Sequence, residues 1–578
     1  MKTKLTLLGI LASLFIYSCQ KGSGFLDKKI VALNQQQTFA DSANTTAFLS
    51  TIYSDAWFYF NIGRYDCGGN SVASDESISY AYTGPQNDGV LMALGAISAA
   101  TADVPKNVQI LNSWKTCWVD IRRVNVFLAN VDHSPLSAAR KTKFKAEARF
   151  LRAWYYSLLL KGYGGVPLIG DQVFAADGNF DLQRSSYSDC VNYVVSELDA
   201  AAAILPTYAT QLPEDYGRAT QGACMAVKAK VLLYAASPLF NGSGVSTPGD
   251  VTEYPSYDKE RWNTAAKAAL AVMNTGLYDI YVDNTTRPGY GYYAVFQKRV
   301  NNEYIFTGMT GPNRTYENLL LPPSRTGNSS SQVAVPTQTM VDSYLMKNGL
   351  PITDPASGYD PANPYANRDP RFDNSIIHNA SSFFYTTTGT KSPIYTYVSS
   401  GTPDQFDNGK TNNTGYYWRK MCFEDGSGNT DRCYPLIRYG EILLDYAEAV
   451  NEYQGPTAEV YNTLIKIRTR AGIDPGPANM YGLKPGMTQA QMRSVIQNER
   501  MIELSLEEHR MWDLRRWKIA DGPLNSMGNG MRITKSGAVY TYNVVNITTR
   551  AFYPQFYLFP IPQSEISKSP KLIQNPGW

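Results

Sequence analysis

Two kinds of hydrophobic patterning divide the chain. Between 140 and 161, apolar residues fall at Phe144, Ala148, Leu151, Tyr155 and Leu158, with basic and acidic residues between them. The spacing i, i+4, i+7, i+11 and i+14 places one apolar stripe along a helix and predicts that this side is buried. Gly162, Gly164, Gly165 and Pro167 follow and stop the helix. The same periodicity marks about 41–60, 107–132, 187–205, 219–236 and 258–275, and again 437–454, 457–471, 488–508 and 510–519. Ser186 with Asp189, and Thr488 with Gln491, supply N-terminal caps, and Asn274-Thr-Gly276 ends its helix. Short turns separate 107–132 from 138–161, 187–205 from 219–236, and 437–454 from 457–471. Helix pairs of about 34–40 residues are the unit of tetratricopeptide-type stacks. The pattern therefore predicts a mostly α fold built on a tetratricopeptide-like helix-pair scaffold.

Residues 280–435 break this rhythm. They are rich in Tyr, Thr, Asn, Gly and Pro, with short strand-like pieces such as Glu303-Tyr-Ile-Phe-Thr307. Irregular segments of this length in a compact protein are usually functional. The tail from 540 alternates weakly and ends in Phe559-Pro-Ile-Pro562 and Gln574-Asn-Pro-Gly-Trp578. The organisation expected is a helical region over 38–279 with a binding loop at 61–105, an irregular ligand-binding region over 280–435, and a helical region with its tail over 436–578.

Composition narrows the function. Lys and Arg total 53 against 50 Asp and Glu, and Lys2 and Lys4 lie in an N-terminal leader, so the remaining chain is nearly neutral. That excludes the electrostatic footprint of a nucleic-acid binder. Aromatics make up 12%, with 41 Tyr against 22 Phe, which favours amphipathic rings at surfaces. The three histidines, His133, His378 and His509, are too few for a histidine cluster. Glu503 and Glu507 share a helix face, but His509 lies about 200° around from Glu507, so a three-point metal site on that helix fails. No P-loop, GxSxG, HExxH or paired CxxC is present, and Gly164-Gly165 follows a helix rather than a strand. The expectation is a protein without catalytic residues, metal or cofactor.

Met1-Lys-Thr-Lys4 and the apolar run Leu5 to Ile16 form a signal peptide, because about 20 apolar residues are needed to span a bilayer. The run ends Ile16-Tyr-Ser-Cys19, which resembles a lipobox, so 1–18 is read as a lipoprotein signal, Cys19 as the lipidated residue and 19–37 as the tether. Stable anchoring takes two or more acyl chains. The other six cysteines allow 15 pairings. Cys422 and Cys433, flanking a turn-rich segment, are the best local disulfide candidates, whereas Cys190 and Cys224 fall in amphipathic patterns and read as buried thiols.

A family resemblance now becomes visible. Lys145-Ala-Glu-Ala-Arg-Phe-Leu-Arg-Ala153 with Tyr163-Gly-Gly-Val-Pro-Leu168, Gly217-Arg-Ala-Thr220, and Tyr365-Ala-Asn-Arg-Asp-Pro-Arg-Phe372 resemble signatures of the SusD/RagB family. So do Arg438-Tyr-Gly-Glu-Ile-Leu-Leu-Asp-Tyr-Ala-Glu-Ala449, Ile467-Arg-Thr-Arg-Ala-Gly472, the Glu499-to-Trp517 motifs and the tail. They run in the expected order from the lipobox to Trp578. The resemblance implies a lipid-anchored, outward-facing outer-membrane protein that caps a TonB-dependent SusC-like transporter and binds oligosaccharides, or peptides in some members.

Within that resemblance the motif residues themselves read as structural. Glu147, Arg149 and Arg152 share a helix, and Glu441, Asp445, Glu448 and Glu452 form an acidic stripe that the Arg-rich stretch 498–517 is placed to meet. Such pairs fix helix register or form a transporter-facing surface. Tyrosines cluster in two irregular stretches: Arg64-Tyr-Asp66 through Asn87, and Tyr290, Tyr292, Tyr293 with Asn313-Arg-Thr-Tyr316. Matching by motif to glycan-binding members implies ligand contacts at Arg64, Tyr80, Tyr82, Asn87 and Tyr316. The third platform position of the family reads Arg325-Thr-Gly-Asn-Ser-Ser-Ser331 here and offers no ring. A peptide-binding member of the same family and a surface glycoside hydrolase are the alternatives.

Overall fold

The computed structural model describes residues 34–578, apart from 59, 61–68, 80–87, 104–112, 176–180, 243–249, 327–333, 385–390, 407–411 and 425–429. The leader, Cys19 and Cys67 lie outside the described residues. Every stretch with helical periodicity forms a helix. In the first half these are α1 (Ser42–Asp55), α2 (Ser113–Asn130), α3 (Ala138–Tyr163), α4 (Tyr187–Ala202), α5 (Gln221–Ala236) and α6 (Glu260–Met273). The second half adds α7 (Tyr439–Gln454), α8 (Ala458–Ala471), α9 (Gln489–Glu503) and α10 (Arg510–Arg516).

The capping residues act as the sequence predicts. The Ser186 side chain accepts the Asp189 N–H, and Thr488 and Gln491 form a reciprocal capping box. Gly164, at φ 79°, ends α3 with its N–H donated to the Leu160 carbonyl. The apolar stripe of α3 is wholly interior: Leu151 and Tyr155 are fully buried.

Neighbouring helices stack in order. α2 packs on α3, α3 on α4, α4 on α5, and α5 on α6. α6 then packs directly on α7, across the irregular region between them, and α7 also carries α8 and α9. This is the tetratricopeptide-like scaffold. The main ladder of the intervening region pairs β2 (Tyr304–Asn313) with β4 (Thr430–Arg438), antiparallel. β4 runs straight into α7. A second, two-residue ladder pairs β1 (Ser77–Ile78) with β3 (Val335–Pro336).

The tail forms a hairpin of β5 (Met527–Ser536) and β6 (Val539–Thr549), turned at Gly537 with φ 60°. Only weak alternation near 540 signals it in the sequence. Along β6 exposed and half-buried positions alternate with no buried residue, so no strong apolar stripe was there to read.

The acidic stripe of α7 meets basic partners in the interior. Arg500 pairs with Asp445 at 2.6 Å, Arg516 with Glu448, and Arg493 with Glu452, while Lys230 reaches Glu441 at 2.8 Å. Glu441, Asp445 and Glu448 are buried, as are Arg500 and Arg516. These pairs fix helix register, and Glu441, Asp445 and Glu448 present no outer surface.

Other signatures are clasps of the same kind. The Glu147 carboxylate accepts hydrogen bonds from Tyr53 and Arg218, tying α1, α3 and the start of α5 together. Arg152 pairs with Glu197 at 2.7 Å and donates to Asn125 Oδ1. Arg184 donates to the Tyr163 and Gly165 carbonyls and to Asn575 Oδ1, which fastens the Tyr-Gly-Gly turn to the C-terminal tail.

The cysteine expectations divide. Cys190 and Cys224 are buried thiols, as expected. Cys422 and Cys433 are also free thiols, which corrects the expected disulfide. Pairing with β2 turns the Cys433 thiol toward Met309, 3.5 Å away, while Cys422 is held apart by its carbonyl, which accepts the Tyr293 hydroxyl.

Candidate functional site

Two stems position the loops that carry the expected ligand contacts. The first is the β1–β3 ladder, with Ser77 opposite Pro336 and Ile78 opposite Val335. The chain leaves β1 toward 80–87 and enters β3 from 327–333, so both segments attach at the same end of one ladder. The ladder is pinned from several sides. Trp418 Nε1 donates to Ser77 Oγ at 3.0 Å, Thr337 Oγ1 to the Asp75 carbonyl at 2.6 Å, and Arg550 Nη2 to the Ser77 carbonyl at 2.7 Å. The second stem brackets 61–68. Before it, the Phe60 ring lies 5.9 Å from Tyr434. After it, Gly69 takes φ 68° against Glu508, where a Cβ would stand 2.5 Å from Oε1, and the Asn70 N–H donates to Glu508 Oε2 at 2.8 Å. Arg64, Tyr80, Tyr82 and Asn87 lie outside the described residues, on the two segments these stems present.

The stem between Gly69 and Ile78 is held by buried carboxyls. Arg510 grips Asp75 with two hydrogen bonds of 2.8 Å. Burial works to raise the Asp75 carboxyl, but Arg510 holds it below its ordinary value. Glu76 accepts the Leu506 N–H at 3.2 Å, and its carboxyl is pushed up to about 8, first by burial and then by the Asp75 charge. Burial also raises Glu508 well above the usual carboxylate range.

A pH dependence follows from Glu76. Its carboxyl rises from 4.5 in the unfolded chain to about 8 in the folded one. Across that window the folded protein binds the extra proton, so stability falls as pH rises through it. Glu76→Gln, neutral at every pH, is expected to fold and to flatten the decline in Tm between about pH 5 and 8.5. Thermal unfolding across that range checks this; a slope identical to that of the unmodified protein rejects it.

The second tyrosine cluster is interior except for Tyr290, which is half-buried. Tyr292 and Tyr293 are buried, with the Tyr292 ring 4.8 Å from Lys420 Nζ. Tyr316 is 2% exposed; its ring lies 5.3 Å from Tyr434 and 5.5 Å from the Arg432 guanidinium. In this structure these rings pack the irregular region against its neighbours and present no open face. The sequence reading missed Trp57 and Tyr434 as their partners. Trp57 packs closely against Gly308, where a Cβ would meet its Cγ at 2.6 Å, and its ring is 5.4 Å from Tyr434. The aromatic run Trp57-Phe-Tyr-Phe60 at the end of α1 was the available signal.

Glu503 and Glu507 are equally interior. Glu503 Oε1 accepts from Arg438 at 2.9 Å and from Arg470, and Oε2 from Arg371 at 3.1 Å. Glu507 pairs with Arg438 at 2.6 Å and Lys420 at 2.7 Å. Burial works to raise both carboxyls, but these cations hold both below their ordinary values. Buried and fully engaged, they are structural acceptors and not a carboxylate pair facing a substrate. His509 Nε2 is 3.6 Å from Glu441, and burial lowers its ring well below the ordinary histidine value. Among the described residues no group of three or more His, Cys, Asp or Glu is arranged to hold a metal ion, and no helix is long and apolar enough to cross a membrane.

Comparison with known proteins covers both halves of the chain. A family model described as the SusD family matches residues 293–578, and one described as starch-binding associating with outer membrane matches residues 62–233. A SusD-like protein of Formosa agariphila is 22% identical over 592 residues, spanning 97% of this chain and 96% of that protein. For another SusD-like protein of the same organism, 27% identical over 164 residues, the match spans 28% of this chain and only 29% of that protein. A solved structure, a SusD-like carbohydrate binding protein from Bacteroides fragilis, is 25% identical with a TM-score of 0.71, covering 93% of this chain and all of that one, 100%.

Proposed function

The chain belongs to the SusD/RagB family, and on that basis we propose that it is a non-catalytic glycan-binding lipoprotein of the outer membrane. It captures oligosaccharide at the outer face and hands it to a TonB-dependent SusC-like transporter. Cys19 carries the lipid that holds it there. The observation that carries this reading is the pair of family matches, one over the scaffold and its binding loop and one over the irregular and C-terminal halves. The description of the first of these as starch-binding, and the carbohydrate binding of the B. fragilis relative, support a glycan as ligand.

The contacts are placed on the loops rather than on the scaffold. Tyr82 and Tyr80 supply flat faces for sugar C–H groups, and Arg64 and Asn87 supply donors and acceptors for hydroxyls. Tyr316, buried against Tyr434, packs the irregular region and does not touch ligand. Arg510, Arg550 and Glu508 keep the stems in place.

Titration calorimetry against a panel of oligosaccharides tests the reading. Tyr82→Ala and Arg64→Ala are each expected to weaken binding at least about tenfold, as loss of an aromatic platform or a charged donor does. Tyr316→Phe, which keeps the packing, is expected to leave affinity unchanged. Binding that ignores both Tyr82→Ala and Arg64→Ala rejects the site, and sugar release by the purified protein rejects the non-catalytic assignment.

A further inference from the structure

Away from the loop stems, the scaffold encloses a cleft of about 470 Å³ where α5, α6, α7 and α9 meet the chain beyond α10. That volume falls within the range of small-ligand pockets, about 300–1,000 Å³. Its floor is aromatic and fixed. Trp262 and Trp517 line it, and the Trp517 indole N–H donates to Glu448 Oε1 at 2.8 Å. At its rim Tyr257 stands 61% exposed, although large aromatic rings are normally covered.

The polar wall is equally defined. Arg493 Nε donates to Glu452 Oε1 at 2.7 Å and Nη2 donates to Oε2, a bidentate pair. This cancels the charge of both groups and leaves Arg493 Nη1 engaged with none of the described residues, on a side chain 41% exposed. The Gln497 amide also makes no hydrogen bond to a described residue. The cleft therefore combines an open ring, a fixed aromatic floor, and an amide and a guanidinium edge with unused donors, but no net charge.

We propose that this cleft is a second carbohydrate-binding site, taking a neutral pyranose residue. Tyr257 covers an apolar C–H face of the sugar, while Gln497 and the Arg493–Glu452 pair bind neighbouring hydroxyls. The charges at the wall are paired, Glu452 with Arg493 and Glu448 with Arg516, so the cleft offers no unpaired cation to a carboxylate-bearing sugar. The site is additional to the loop site and uses none of its residues. It would let the protein hold a second stretch of the same polysaccharide, adding avidity to the primary contact.

Saturation-transfer NMR on the whole protein tests it. The probes are the methyl glycosides of glucose, galactose, mannose and xylose, with maltose, cellobiose and, as a charged comparator, glucuronate. The proteins are the unmodified chain, Tyr82→Ala, Tyr257→Ala and Gln497→Ala, with Tm measured for each. The expected result is that at least one neutral sugar binds the Tyr82→Ala protein as it binds the unmodified chain. Tyr257→Ala and Gln497→Ala then weaken that binding about tenfold without a change in Tm, and glucuronate binds at least tenfold more weakly. The proposal is overturned if no neutral sugar binds the Tyr82→Ala protein, or if binding ignores Tyr257→Ala and Gln497→Ala. Loss in Tyr82→Ala with indifference to Tyr257→Ala rejects the cleft and keeps the loop site. If every probe binds Tyr82→Ala as it binds the unmodified chain and is lost in Tyr257→Ala, the cleft stands and the loop site is rejected.

Discussion

Glu503→Gln is expected to destabilise the protein by about 3–5 kcal/mol, the cost of removing one partner from a buried ion pair. Here one carboxylate serves three guanidiniums, those of Arg371, Arg438 and Arg470, all of them 2% exposed or less at the side chain. Those cations hold its carboxyl below the usual range in spite of burial, so the folded state depends on the charge. Glutamine keeps the shape and loses that charge, leaving Arg470 and Arg371 with fewer acceptors in a place water does not reach. The Lys420 and Arg438 bonds to the Glu503 carbonyl are unaffected by the change and do not compensate for it. Urea unfolding measures the loss. Arg149→Ala, at a side chain 42% exposed and 4.0 Å from Glu197, is the control and is expected to cost less than about 1 kcal/mol. Equal effects from the two substitutions would show that the interior network is not what holds the irregular region in place.

Phe306→Ala is expected to cost about 3–5 kcal/mol, in the range for truncating a buried aromatic ring. Phe306 is 2% exposed on β2, and its ring meets Phe150 edge-on at 4.9 Å and Trp154 at 5.1 Å. Both partners belong to α3, so this ring is where the main ladder of the irregular region is seated on the scaffold. Phe306→Leu fills most of the space and is expected to cost less than half as much. Hydrogen exchange adds a second readout: protection is expected to fall along 304–313 and 430–438 before it falls in α4 or α5. A uniform loss over all helices would argue that the ladder is not separately anchored.

The helices were legible because each carries an apolar stripe with its own start and stop. α3 shows this best: Phe144 through Leu158 mark its buried side and Gly164 its end. The direct packing of α6 on α7 was not legible, since no local pattern joins helices separated by 280–435. The acidic stripe of α7 was readable as spacing, but burial decided between a register device and an outer surface, and burial depends on tertiary neighbours. Tyrosine illustrates the same limit at the site. Tyr292, Tyr293 and Tyr316 look in sequence like a binding cluster, yet each ring is enclosed by groups distant in the chain, the Lys420 ammonium, the Cys422 carbonyl and the Tyr434 ring among them. Tyr257 carried no signal at all: it stands in a loop, and the groups that form a cleft with it, Arg493, Gln497 and Trp517, come from more than two hundred positions later.

The contact between α6 and α7 also governs how this molecule can be made. Synthesis is vectorial, and domains assemble from the N-terminus as the chain emerges. α1 to α6 can stack on one another as they appear, but the last of them keeps an open apolar side until more than 150 further residues have been threaded out and α7 arrives. Closing so long a loop is entropically slow and raises the contact order of the whole fold. The nascent scaffold therefore waits, half-covered, for its second half, and that interval is when a holding chaperone or an aggregating neighbour would meet it.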